Sequence, residues 1–275
     1  MRPVAIISVD DNPDYLFLLP IVCRSWEIQG FSHFIRINPT ERTESKRRLV
    51  ECVLKFINPA NEYEFVVTEE DTMIPSLNTK LYTQCIRLYD TAFIEPKDYC
   101  ILTDADMFIA SSFLYRDFDK VNVFGHDLTG FGQVPMCYVG MTGEKWRAIM
   151  NNVPDGEWPG LDYDLERYAD KDSDNWEKAW GADQDILTSK LKMYGFDKIN
   201  FINRGTDAKN AGLPLGRWDR YNWQKPSGEI HDVHLMRNPM SDENFVRIKE
   251  MCHTIYPVTD WSWLDQYRNE FLKQQ

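Results

Sequence analysis

Two carboxylates one residue apart, Asp104 and Asp106, close the apolar run "YCILTDADMF" at residues 99 to 108. In an extended segment, residues two apart point the same way, so both would present oxygens to one spot. Converging carboxylates repel unless a cation lies between them, and hard divalent ions such as Mn²⁺ or Mg²⁺ take oxygen ligands. The pair therefore marks a candidate metal site. The same spacing recurs at Asp117/Asp119, Asp162/Asp164, Asp170/Asp172/Asp174 and Asp183/Asp185, most of it expected on solvated surface. What sets Asp104 and Asp106 apart is the run before them. Tyr99-Cys100-Ile101-Leu102 shows no alternation, as in a strand covered on both faces, and open α/β sheets bind ligands beyond the carboxyl ends of such strands. The stretch "DKDSDNWE" opens like a calcium loop, but Asn175 stands where the loop needs glycine and Gly181 where it needs a bidentate glutamate. It reads as a polar loop.

Three other groups of residues could converge on the same strand ends. Asp10-Asp11-Asn12 follow an apolar strand, although a helix N-cap alone accounts for Asn12 and one Asp. Asp183-Gln184-Asp185 open a helix whose buried stripe is Leu187, Leu191 and Tyr194, and acids in a first turn are favoured by the helix dipole whatever their function. His231 and His234 fall within one late strand candidate, "EIHDVHLM". A neutral imidazole is a good Mn²⁺ ligand, and the two would face opposite ways, so one of them is expected at the metal.

The elements that must position these groups alternate strand and helix over the first two thirds of the chain. "VAIISVD" is a strand; in "DNPDYLFLLPIVCRSW" Asn12 caps, Pro13 takes the first helical position, Leu16, Leu19, Cys23 and Trp26 share a face, and Pro20 predicts a kink. "SHFIRIN", "YEFVVTE", "KVNVFGHD", "VPMCYVGMT", "KINFIN" and "EIHDVHLM" read as further strands. "ERTESKRRLVECVLKFI", "NTKLYTQCIRLYDTAF", "GEKWRAIMNN" and "GADQDILTSKLKMYG", the last ending at Gly195, read as helices. Two terminal helices follow. The alternation predicts a mostly parallel, doubly wound central sheet with helices on both faces. Two polar stretches, residues 154–180 and 211–229, resist assignment and read as long functional loops. Their Trp158, Trp176, Trp180, Trp218 and Trp223 offer flat apolar faces that could stack on a ligand or anchor the long loops to the core.

The 275 residues, 43% of them hydrophobic, suffice for one domain, with residues 1–110 as one half, 111–240 as the other and 241–275 as a helical extension. A net charge of −12 argues against nucleic acid as partner, and an anionic ligand would need local cations. No apolar run approaches the length of a signal peptide or spanning helix, so a cytoplasmic protein is expected. Cys23, Cys52, Cys85, Cys100, Cys137 and Cys252 form no CxxC pair and read as reduced core residues.

In order along the chain, "SVDDN", "LTDAD", "DQDIL" and a late histidine resemble a GT-A glycosyltransferase, and most nearly the retaining galactosyl- and glucosyltransferases of the glycogenin type, glycosyltransferase family 8. The resemblance spans most of residues 4 to 240. It implies that Asp104 and Asp106 bind Mn²⁺ and the donor diphosphate with His234 or His231 as the third ligand. It further implies that Asp10, Asp11 and Asn12 hold base and ribose, that Arg87 lies near the donor, and that Asp183, Gln184 and Asp185 line the reactive face of the sugar. Arg237 in "HLMRNP" is the nearest substitute for a lysine usual after the family's histidine, and "CYVGMT" replaces a strand that carries a sugar-contacting asparagine.

The implied activity is transfer of a hexose or pentose from a nucleotide-sugar, UDP-sugar favoured, to a glycan or glycoconjugate. A metal would neutralise the leaving diphosphate, with Arg87 and Arg237 adding fixed positive charge. In a retaining enzyme one of Asp183 and Asp185 stabilises an oxocarbenium-like sugar; in an inverting one it is the general base. A nucleotidyltransferase would need a glycine-rich loop near the N-terminus, which "SVDDNPDYL" lacks. A non-catalytic sugar-binding protein has little need for all these acids together.

Overall fold

The structure, a computed structural model, describes residues 2–39, 43–58, 65–67, 79–114, 117–125, 132–151, 159–169, 181–207, 209 and 212–275. Along the chain these form β1 (Pro3–Asp10), α1 (Pro13–Ile28), β2 (Ser32–Asn38), α2 (Glu44–Lys55), β3 (Phe65–Val67), α3 (Thr79–Asp90), β4 (Tyr99–Thr103), β5 (Met107–Ile109), β6 (Val121–Phe124) and β7 (Val139–Thr142). There follow α4 (Gly143–Met150), α5 (Pro159–Ala169), α6 (Ala182–Tyr194), β8 (Ile199–Ile202), β9 (Thr206–Asp207), β10 (Leu213–Pro214), β11 (Arg217–Asp219), β12 (Asp232–His234), α7 (Asp242–Ile255) and α8 (Trp263–Leu272).

The main sheet has seven strands in the order β3-β2-β1-β4-β7-β6-β8. β3, β2, β1 and β4 run parallel, β7 runs antiparallel to both β4 and β6, and β8 is parallel to β6. The expected strands and the mostly parallel sheet are therefore present. Side chains of β1 and β4 go alternately to two cores: Ala5, Ile7, Val9, Tyr99 and Ile101 to one face, Val4, Ile6, Cys100 and Leu102 to the other. Both faces are covered, which is why neither strand alternates in hydrophobicity. α1, α2, α7 and α8 supply the first core; α3, α4, α5 and α6 supply the second.

Helix α1 starts as the sequence predicts, with the Asn12 side chain accepting from Asp14 N–H at 3.0 Å and Pro13 in the first turn. It continues through Pro20 to Ile28. Pro20 has no N–H, so the carbonyl of Leu16, four residues earlier, lacks its helical donor. The hydroxyl of Tyr267 in α8 donates at 3.3 Å to Leu16 O and at 3.0 Å to Phe17 O, and its ring stacks on Phe17 with centroids 5.0 Å apart. The C-terminal helix thus supplies what the proline removed.

The loop assignments need two corrections. Residues 159–169 are a helix, with Leu161 and Leu165 buried one turn apart. Its Asp164 is not solvated surface: buried at 3% exposure, it accepts from the Tyr89 hydroxyl at 2.5 Å and pairs with Lys190 at 3.2 Å. Residues 211–229 contain β10 and β11, and β11 joins β12 and β5 in a three-stranded sheet that the sequence pattern does not reveal. Trp218 is buried and Trp223 packs against the same core, their rings 5.0 Å apart, so both anchor this segment. Trp158, Trp176, Trp180 and the "DKDSDN" acids lie outside the described residues. All six cysteines are free, as expected. Among the described residues, no helix is long and apolar enough to cross a membrane.

Candidate active site

From β1 the chain winds outward through β2 to β3, then crosses back by α3 to place β4 on the other side of β1. That reversal opens a crevice beyond the carboxyl ends of β1 and β4. A cavity of about 430 Å³ fills it, walled by the end of β1, the first turn of α1, one face of α3, the turn after β4, the start of α6 and the segment around β12.

Asp104 and Asp106 lie on the turn that joins β4 to β5, not on an extended strand, yet both line the cavity. The turn separates their partners. Arg87 Nη1, from α3, bonds the Asp104 carboxylate, and the Cys137 thiol donates to Asp104 Oδ2 at 2.8 Å. Arg220 Nη1 bonds Asp106 Oδ2 at 2.8 Å, and His234 Nε2 lies 3.4 Å from the same oxygen. Desolvation opposes charge on Asp104, but Arg87 and the Cys137 thiol more than offset it and hold the carboxyl below its usual range. Burial keeps the Cys137 thiol protonated, and Asp104 adds to that effect.

His234 sits opposite Met107 in the β12–β5 ladder, which brings it beside Asp106. Its Nδ1 is 3.2 Å from Asp219 Oδ2, the arrangement that commonly fixes the orientation of a ligating imidazole. Burial works against charging His234, and the Asp106 and Asp219 carboxylates outweigh it, so its pKa is raised. His231 is three residues back, roughly 10 Å along an extended chain. It faces Ser111, with Oγ at 3.0 Å from Nδ1, and the Phe113 ring, and it does not line the cavity. Of the two histidines, the structure brings only His234 to the carboxylates.

Asp183 and Gln184 line the cavity and Asp185 does not. On a helix, residues two apart point some 200° from each other, so the pair cannot act on one ligand as a strand pair would. Asp183 Oδ2 accepts from Arg87 Nη2 at 2.7 Å. Asp185 accepts from Gln133 Nε2 at 2.6 Å and opens on a separate cavity walled by Arg167, Thr188 and Lys192. A single guanidinium therefore serves both Asp104 and Asp183. Burial outweighs Arg87 at Asp183 and raises its pKa. At Arg87 burial also opposes charge, but the two carboxylates prevail and raise its pKa.

Asp10 and Asn12 line the cavity; Asp11 is buried outside it, its carboxylate 3.3 Å from Lys46 Nζ in α2. Neighbours at a strand end alternate in direction, which separates Asp10 from Asp11. Burial raises the pKa of Asp10. Arg237 reaches the cavity with its guanidinium 4.8 Å over the Tyr15 ring, and Tyr15, its pKa pushed up to about 12 by burial, stays a neutral donor.

Arg220, Tyr221, Tyr15 and Lys80 also wall the cavity and were not singled out from sequence. Arg220 stands in a polar stretch 114 residues from Asp106, and no local pattern announces it.

The chemistry of the donor set fits a hard divalent cation: two carboxylates and an imidazole backed by a third carboxylate. Among the described residues, however, no three His, Cys, Asp or Glu groups already converge on one point. Each carboxylate is turned to an arginine, and a cation must displace at least one of them. The described wall carries four basic side chains, Lys80, Arg87, Arg220 and Arg237, against the carboxylates of Asp10, Asp104, Asp106 and Asp183. Leaving His234 aside, these charges balance.

No protein-family model and no curated protein matches the chain. Solved structures do. The galactosyltransferase LgtC, in complex with donor and acceptor sugar analogues, matches with a TM-score of 0.50 and 12% identity over 96% of this chain and 100% of that one. An active-site mutant of LgtC matches with a TM-score of 0.50 and 12% identity, covering 97% and 100%. The glycosyltransferase GlyE of Streptococcus pneumoniae matches with a TM-score of 0.48 and 11% identity, covering 100% of this chain and 64% of that one. The chain therefore has the GT-A glycosyltransferase fold.

Proposed function

We propose that the chain is a nucleotide-sugar glycosyltransferase with the cavity beyond β1 and β4 as its active site. The observation that carries this reading is the convergence, on a GT-A fold, of Asp104, Asp106, His234, Arg87 and Asp183 on one cavity at the strand reversal. Asp10 and Asn12 suit the polar edges of a base and ribose, while Arg237 and Lys80 suit a diphosphate. A UDP-sugar is the favoured donor and a glycan or glycoconjugate the acceptor. LgtC, the matching fold, was solved with donor and acceptor sugar analogues.

Asp104, Asp106 and His234 would hold Mn²⁺ or Mg²⁺. Bound there, the ion would act as a Lewis acid on the diphosphate as it leaves. Arg87, fixed by Gln84 O at 3.2 Å and Thr103 O at 3.1 Å, supplies positive charge that needs no reorganisation during the reaction. Asp183 sits at the sugar end of this arrangement, its carboxylate oriented by Arg87, where it stabilises positive charge developing on the sugar ring.

The fate of the acceptor proton separates retention from inversion. Asp185 is turned away from the cavity and Asp183 is already engaged by Arg87, so neither is a free general base. That supports a retaining course, in which the departing phosphate takes the proton. A test of the assignment is thermal stabilisation by UDP, GDP and their sugars with and without Mn²⁺. Stabilisation by one nucleotide series, dependent on Mn²⁺ and lost in Asp106→Asn, is the expected result; no response to any nucleotide overturns the reading.

A further inference from the structure

Arg87 and Arg220 both occupy carboxylates assigned to a cation, but they are held very differently. Arg87 is anchored on Asp104, Asp183 and two backbone carbonyls, and its side chain is 7% exposed. Arg220 has the Asp106 carboxylate at 2.8 Å, only a long 3.4 Å contact to Leu235 O, and the Tyr221 ring 5.5 Å from its guanidinium carbon. Its side chain is 11% exposed, so what separates it from Arg87 is the number of its partners, and its backbone is firmly held. Asp219 accepts from Tyr221 N–H at 3.0 Å, and Trp223 N–H donates to Asp219 O at 2.9 Å. The arginine therefore sits on a fixed stem, with the Asp106 carboxylate as its nearest charged partner and the neighbouring Tyr221 side chain as a further partner. The Asp106 oxygen it bonds also faces His234 Nε2.

Resting on the metal reading of Asp104, Asp106 and His234, we propose that Arg220 is an exchangeable counter-ion that couples cation binding to nucleotide binding. Without a cation, Arg220 neutralises Asp106. When a cation takes Asp106, Arg220 must leave, and in the absence of nucleotide its largely buried charge gives up that carboxylate without an anion to replace it. With a diphosphate in the cavity the freed guanidinium has anionic oxygens within the same space. Each ligand thus lowers the penalty for the other, and the coupling is reciprocal. Arg220 acts here as a positioning residue rather than a catalytic one.

The experiment is titration of free Mn²⁺ by its electron paramagnetic resonance signal, with no nucleotide and with UDP or GDP, on wild type, Arg220→Gln, Arg220→Lys and Asp106→Asn. Removing the competing guanidinium should tighten Mn²⁺ binding without nucleotide by about 10- to 100-fold, the worth of a charged hydrogen bond. It should also shrink the further tightening by nucleotide. Arg220→Lys, which keeps a cation on the same stem, should fall between. Loss of folding or of loop structure would weaken Mn²⁺ binding, so a gain in affinity separates the proposal from a structural role. Unchanged or weaker Mn²⁺ binding by Arg220→Gln, with wild-type binding intact and lost in Asp106→Asn, overturns the exchange and leaves the metal site standing. No Mn²⁺ binding by wild type under any condition overturns both.

Discussion

Replacing Arg87 by methionine tests the electrostatic core of the site. The substitution keeps much of the aliphatic stem and removes a charge shared by two carboxylates. The two arms are unequal. Asp104 is 42% exposed in its side chain and retains the Cys137 thiol, so water and that hydrogen bond cover most of its loss; Asp183 is 4% exposed and loses its paired cation, Arg87. Breaking a buried pair on one side typically costs about 3 to 5 kcal/mol, and we place Arg87→Met near the lower figure, about 3 kcal/mol, at pH 8. Asp183 can escape part of that penalty by taking a proton. Its native pKa already lies above the ordinary 3.8, and removal of Arg87 raises it further. A carboxyl with a raised native pKa contributes stability that is lost as pH rises from its unfolded value through its native one. The gap between wild type and variant should therefore be smallest near pH 4 and widen with pH, by at most about 1.4 kcal/mol per unit. Urea unfolding at pH 5 and 8 measures it, and Asp183→Asn in the Arg87→Met background should recover most of the loss. A variant as stable as wild type at both pH values, or a gap that does not widen, refutes the reasoning.

The separation of Asp183 from Asp185 predicts that Asp183→Asn lowers kcat by at least about 100-fold, as loss of a transition-state electrostatic group does, while Asp185→Asn changes it less than threefold; steady-state kinetics decide. Tyr267→Phe should destabilise by about 1 to 2 kcal/mol in urea unfolding, since Leu16 O loses the donor that replaces the missing Pro20 N–H. His33, 1% exposed, has its pKa lowered by burial to about 4 from 6.5, so the unfolded chain takes a proton that the folded one refuses. Stability should fall below pH 6.5, by about 3 kcal/mol on reaching pH 4, and His33→Leu should remove that part of the acid sensitivity in melts across the range.

What the sequence makes legible is local. The two-sided strand before Asp104, the Asn12 cap, the Gly195 helix end and the strand–helix alternation all depend on neighbours within a few residues, and all are found in the structure. Helix α5 was within reach: Pro159 at its start and Leu161 and Leu165 one turn apart are helix signals inside a stretch dominated by polar residues. The sheet of β11, β12 and β5 was not, because its strands are three residues long and the pairing of β12 with β5 joins residues more than a hundred apart. That sheet brings His234 and Arg220 to Asp106, and so the choice between the two histidines, and Arg220 altogether, waited on tertiary structure. Asp185 and Asp11 fall outside the walls of the cavity for a simpler reason. Spacing shows which residues are near in sequence, while the helix or strand they join decides whether their side chains meet.

The central claim is transfer chemistry at Asp104 and Asp106, and release of free nucleoside diphosphate measures it directly. A panel of UDP- and GDP-sugars incubated with Mn²⁺, without acceptor, should show slow hydrolysis of one donor by the wild-type protein, abolished by EDTA and by Asp106→Asn. Donor breakdown that persists unchanged in Asp106→Asn, or no breakdown and no metal-dependent nucleotide binding for any donor, contradicts the account.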